Sequence, residues 1–183
     1  MSIPYVFSLD ELLSHFLDEG DQPSAEDIET AGGRIGRNAY PMLVMLLASY
    51  GLLTPEVARV VVPSAWSDVE FPSRALTRDC WRALFLSAGY TVNGVPAERP
   101  TESLRLWRGS LPGHRYGWSW TDDRALAQWF ANRPHNTGRG LVHVADVEPA
   151  RLLARITHVR EGEREYVVDA RRMKVRADPG AVA

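Results

Sequence analysis

The sequence predicts an α+β chain, with a helical N-terminal region over residues 1–95 and a strand-rich module over residues 96–183. Three observations carry that division. Apolar residues recur at helical spacing through the first half, alternate with polar ones in short runs through the second, and turn-forming residues gather where the period changes. The segment Thr91 to Thr101 holds Asn93-Gly94, Pro96 and Pro100, and places the boundary near residue 95.

In the first half, Ser8-Leu9-Asp10-Glu11 offers an N-cap and an acidic first turn. Leu9, Leu12, Leu13, Phe16 and Leu17 then form one apolar face, and Gly20 stops the helix. A second helix is expected from Asn38 or Tyr40 to Ser49, with Pro41 in its first turn and Gly51 just past its end. Thr54-Pro55-Glu56 starts a third, ended by Pro63. Ser73 to Ala88 reads as a fourth, with Leu76, Cys80, Ala83, Leu84 and Ser87 inward and Gly89 as C-cap. Gly32-Gly33-Arg34-Ile35-Gly36 superficially resembles a phosphate loop. It lacks a preceding strand and a Walker lysine, and is expected to be an ordinary loop.

In the second half, the strand candidates are Leu104–Gly109, Gly117–Thr121, Gly140–Val147, Glu163–Asp169 and Met173–Ala177. An amphipathic helix is expected over Asp122–Asn132, capped by Thr121 or Asp122. There is no internal repeat and no low-complexity tract.

Bulk composition excludes more than it assigns. With 183 residues, 45% of them hydrophobic, the chain is long enough to bury a real core. A net charge of −2 gives no footprint for nucleic acid, so such a partner is not indicated. Lys174 is the sole lysine among 21 basic residues, a bias that reads most simply as genome composition. Cys80 is alone, which excludes an intrachain disulfide and a cysteine-based zinc site. The five histidines, His15, His114, His135, His143 and His158, lack metal-ligand spacing, and no metal is expected. Met42 to Leu53 falls short of the roughly 20 apolar residues needed to span a bilayer. No secretory signal is evident in the opening residues, so no membrane partner and a cytoplasmic location are expected.

Three features of the second half carry chemistry. Leu106-Trp107-Arg108-Gly109 ends a strand in which Arg108 shares a face with Leu104 and Leu106, away from Trp107. A cation on an apolar face calls for an anionic partner, and a phosphate suits the planar guanidinium fork. Taken alone, an arginine at a strand end is more often structural. Trp118-Ser119-Trp120-Thr121 puts two hydroxyls on one face and two indoles on the other. Glu161-Gly162-Glu163-Arg164-Glu165 leads into Tyr166-Val167-Val168-Asp169, with Glu163 and Glu165 on one face. Carboxylates so close repel, which is tolerable where cations or hydroxyls meet them.

In this order (arginine strand, Ser-x-Thr strand, helix, strand, Glu-x-Glu strand) the pattern resembles the arginine–serine–glutamate class of mono-ADP-ribosyltransferases, bacterial or phage-type. The likeness covers Leu104 to about Asp169, including Trp129-Phe130-Ala131 and Leu152-Leu153-Ala154. It implies a split, twisted β core carrying an NAD site, with NAD as co-substrate. Arg108 would grip a phosphate of NAD, with Gly109 in the cofactor-binding set. Ser119 would hold the nicotinamide side and Thr121 would support the cleft. Glu165 would be the catalytic glutamate, bonded to the 2′-hydroxyl of the nicotinamide ribose, while Glu163 would orient or deprotonate the acceptor.

The implied activity is transfer of ADP-ribose to a macromolecular acceptor with release of nicotinamide. A protein arginine is the first acceptor to consider, in a defence, phage or toxin-like setting. Two departures from the family pattern are Trp120 in the middle of the usual Ser-Thr-Ser segment and Thr121 in place of its last serine. The glutamate register is also ambiguous, since Glu161-Gly162-Glu163 has the same spacing. Glu163 and Glu165 are chosen because Glu165 runs directly into the apolar strand. An NAD glycohydrolase and a non-catalytic binding module are the alternatives. His135-Asn136-Thr137-Gly138 reads as a solvated loop that would border such a cleft.

Overall fold

A computed structural model describes residues 8–20, 22–133, 138–157, 164–178 and 180. The chain is α+β and divides into two compact units, Met1–Pro96 and Ala97–Ala183. Among the described residues no helix is long and apolar enough to cross a membrane.

The first unit begins with α1 (Leu9–Glu19), fixed by a reciprocal capping box between Ser8 and Glu11 and ended by Gly20 at φ 71°. Leu12 and Phe16 are fully buried, whereas Leu17 is 41% exposed, so the buried stripe is narrower than the sequence pattern. α2 (Ala25–Ile35) replaces the loop expected over Gly32–Gly36. Ser24 and Asp27 form its capping box, and Gly36 ends it at φ 85°. Gly32 is required inside this helix because the Tyr40 ring occupies the space its Cβ would fill. α3 (Tyr40–Ser49) takes Pro41 in its first turn as expected.

α4 (Pro55–Asp68) starts at Thr54 but runs through Pro63, where the sequence predicts its end. An internal proline costs a helix about 3 kcal/mol. Here Val61, Val62, Ala65 and Trp66 are all buried around it, and Trp66 packs edge-on against Trp81 at 5.0 Å between ring centroids. Burial of so much apolar surface outweighs the lost backbone bond.

The single helix expected over Ser73–Ala88 is two, α5 (Pro72–Ala75) and α6 (Arg78–Ala88). Thr77 breaks the run by capping α6, its hydroxyl accepting the Cys80 N–H at 3.2 Å. The buried face of α6 is Trp81, Leu84, Phe85 and Ala88, while Ala83 and Ser87 are exposed. The aromatic pair, with its larger apolar surface, decides the rotation of the helix. β1 (Thr91–Val92) and β2 (Val95–Pro96) form a hairpin where a plain linker was expected. Asn93 and Gly94 turn it with φ of 53° and 78°, the pair of positive angles that suits strand twist.

The second unit holds two sets of strands. β3 (Leu104–Ser110), β5 (Leu141–Val147) and β8 (Arg176–Ala177) form a sheet in the order β3-β5-β8. β4 (Ser119–Trp120), β6 (Leu152–Ile156) and β7 (Glu165–Val168) lie in the order β6-β7-β4. The strand β6 was not expected. Leu152, Leu153 and Ala154 are all buried, so no alternation announces it, and a register shift between Leu152 and Ala154 interrupts its ladder. The two sets meet where Trp107 and Thr121 exchange backbone N–H···O bonds of 2.8 Å in both directions.

Between β4 and β5 lies α7 (Arg124–Ala131), shorter than expected and capped by Asp123 rather than Thr121 or Asp122. The Asp123 carboxylate accepts the N–H groups of Ala125 and Leu126 at 2.8 and 3.1 Å. α7 lies flush on the sheet. A Cβ on Gly109 would run into the Ala127 carbonyl, and one on Gly140 into the Ala131 carbonyl. These are backbone atoms that cannot step aside.

Gly109→Ala should therefore destabilise the protein by about 1–3 kcal/mol through overpacking. Gly33→Ala, in α2 with nothing within 4 Å of the added Cβ, should stabilise it by about 0.5–1 kcal/mol. Urea unfolding monitored by circular dichroism checks both, and the opposite signs are the expected result.

Candidate functional site

Arg108 sits near the end of β3 on the face of the fully buried Leu106. Its neighbour Trp107 points the other way and packs on Ala127, Ala131 and Val142. The alternation read from the sequence is thus the alternation of the strand. The Arg108 guanidinium donates from Nη1 to the Ser119 carbonyl at 2.7 Å and from Nε to the His114 carbonyl at 3.2 Å. It lies flat on Gly117, where any Cβ would collide with it. The turn from Pro112 to Gly117, closed by the Gly117 N–H on the His114 carbonyl at 3.0 Å, wraps the arginine.

Ser119 is half-buried and stands opposite Val167 in the β4–β7 pair, with Trp120 opposite Tyr166. Trp118 and Trp120 are buried, and Ser119 shares its face with Val167, because directly opposed residues of antiparallel strands project together. Glu165 opens β7 with the same parity as Val167 and pairs with Ile156 of β6. Arg108, Ser119 and Glu165 are therefore carried on neighbouring backbone segments, with β4 linking them. β4 accepts the Arg108 hydrogen bond on one side and pairs with β7 on the other.

Two expected members differ in detail. Thr121 is buried, and its hydroxyl accepts the Asp123 N–H at 3.1 Å, so it shapes the turn into α7. Gly109 lies on the face opposite Arg108, where contact with α7 accounts for its lack of a side chain. Glu163, Glu161, His135, Asn136, Thr137 and His158 lie outside the described residues.

The structure adds residues that sequence reasoning left unassigned. Asp122 collects two guanidiniums, Arg164 at 3.2 Å and Arg155 at 3.5 Å, and Arg155 lies over the Tyr166 ring at 5.2 Å. This cluster ties the end of β4 to β6 and to the start of β7, on the face opposite Ser119. The Tyr166 hydroxyl is shifted upward, chiefly by burial. Arg164, the cation within the run of glutamates, thus pairs with Asp122.

His143 is the second addition. It stands directly opposite Arg108 in the β3–β5 ladder and is only 3% exposed. Its Nε2 has no hydrogen-bond partner among the described residues. Burial first, then the nearby Arg108 and Arg115 charges, pull its pKa below the usual histidine value, against a smaller upward effect of the Ser110 backbone. A lone polar residue between Val142 and Val144 was the available sequence signal. Among the described residues no group of three or more His, Cys, Asp or Glu is arranged to hold a metal ion.

With this geometry in place, comparison with known proteins finds no matching family model, no matching curated protein and no matching solved structure.

The neutral form of His143 is favoured in the folded state, so the unfolded chain binds the extra proton first as pH falls. Stability from this group is fully present above about pH 6.5, the ordinary histidine value. It is lost as pH drops from there through the depressed folded value. Denaturant midpoints should rise with pH across that window, and His143→Gln should have a flatter profile. An identical pH dependence in wild type and variant would show that His143 is not the source.

Proposed function

We propose that the second unit is an NAD-dependent mono-ADP-ribosyltransferase. The reading rests on the resemblance of its motif order to the arginine–serine–glutamate class. One observation supports it above others: β4 is bonded to the Arg108 guanidinium and paired with the strand that Glu165 opens. Three weak motifs, spread over some sixty residues, would then be parts of one cleft. In this reading Arg108 anchors a phosphate of NAD, and Ser119 faces the nicotinamide half. Glu165 stabilises the positive charge that develops on the ribose as nicotinamide departs. A fixed carboxylate is effective at that task because it need not reorganise when the charge forms. Glu163 would serve the acceptor as a general base. The Glu-x-Glu form favours a protein arginine as the acceptor.

A second reading has its own support. Arg108 already donates to two backbone carbonyls and is packed on Gly117, as a structural arginine would be. On that reading the unit is a binding module without turnover. Assay of the purified chain with labelled NAD, following free nicotinamide and label transfer to lysate proteins, separates the two.

Arg108→Ala should weaken NAD binding about tenfold or more by calorimetry, since a charge-assisted hydrogen bond contributes about 1.5–3 kcal/mol. Glu165→Gln should abolish both nicotinamide release and transfer. Glu163→Gln should lose transfer by about 10²–10⁴ yet keep some hydrolysis, because water needs little help once the ribosyl cation forms. Loss of activity in Glu161→Gln with Glu165→Gln unaffected would move the register by two residues. Wild type that neither binds nor consumes NAD leaves the binding-module reading.

A further inference from the structure

On the face of β3 opposite Arg108 lies a cavity of about 430 Å³, lined by Arg105, Trp107, Arg124, Val144, Arg176 and Asp178 together with Ala177. It falls in the size range of small-molecule sites, roughly 300–1,000 Å³. Its chemistry is two-sided. Trp107, half-buried, and Val144 give it an aromatic and aliphatic wall, and three arginines border it.

Among the described residues two carboxylates answer those three cations. Arg105 and Arg176 share Asp146, at 2.9 and 3.2 Å, and Arg124 pairs with Asp178 at 2.6 Å. These five described side chains together carry one positive charge in excess. Arg124 also holds its Nη2 buried with no hydrogen-bond partner among the described residues, beside Gly180. A buried donor without a partner is costly. Guanidinium forks suit the oxygens of a phosphate, and an indole face suits a flat ring.

We propose that this cavity is a second ligand site, distinct from the Arg108 cleft, that binds a nucleoside monophosphate. The base would lie against Trp107 and the phosphate would meet Arg124 and Arg176. The pocket needs neither Arg108 nor Glu165, so it does not depend on the enzymatic reading.

The full chain labelled with fluorotryptophan gives one ¹⁹F signal per indole, and Trp107→Phe identifies that of Trp107. Titration with adenosine monophosphate should shift the Trp107 signal saturably. Arg124→Gln and Arg176→Gln should each weaken the effect about tenfold or more. Arg176 lies at the exposed end of the sheet, so its variant tests the site without threatening the fold. Adenosine and orthophosphate, each offering half of the recognised chemistry, should bind more weakly than the nucleotide. Three results would overturn the proposal: no shift of the Trp107 signal, a shift indifferent to both arginine variants, or orthophosphate binding as tightly as the nucleotide.

Discussion

The second unit depends on one contact, the two-way backbone pairing of Trp107 with Thr121. Each residue gives an N–H and takes a carbonyl, so neither strand leaves an orphaned polar group where the two sets of strands meet. Because β4 is so short, its register against both neighbours is fixed by few bonds. Once Trp107 is opposite Thr121, Ser119 is brought back toward Arg108, and Trp120 is committed to the buried side. The pairing with β7 then determines where Glu165 begins its strand. Side-chain chemistry at the candidate site follows from this backbone arrangement.

The same strand shows how one sequence serves two surfaces. Arg108 and Trp107 are adjacent residues with opposite neighbourhoods. One guanidinium is held by carbonyls and laid on Gly117, while the indole is pressed against α7 and forms the wall of a separate cavity. Gly109 and Gly140 let α7 approach the sheet closely enough to cover that indole in part. The helix is also anchored at its start by Asp123 and by the Arg124–Asp178 pair. A small amount of backbone, well fixed, thus separates the Arg108 side of β3 from an arginine-lined cavity on its other face.

Local signals were legible where physics is local. The Ser8 N-cap with its acidic first turn, Pro41 in a first turn and the parity of Trp107 and Arg108 all appear as read, since each depends on neighbours in the chain. Long-range packing hid the rest. Pro63 looked like a stop and is carried inside α4 by burial of Trp66. Gly32 and Gly33 looked like a loop, though Ser24 and Asp27 had already capped a helix there. Leu152–Ile156 gave no alternation because nearly all of it is buried. At the candidate site, Arg108, Ser119 and Glu165 could be singled out by residue type and order. The partners that hold them could not. The His114 carbonyl and Gly117 come from the turn that follows β3, while His143 and the Asp122 cluster are brought in by strand pairing, which no spacing in the sequence encodes.

The most direct test of the proposed cleft is a crystal structure of the full chain bound to a non-hydrolysable NAD analogue. The arrangement predicts a phosphate oxygen within hydrogen-bonding distance of Arg108, with the nicotinamide ribose beside Glu165 and Ser119. A cofactor bound elsewhere, with Arg108 still donating to the Ser119 and His114 carbonyls, would contradict it.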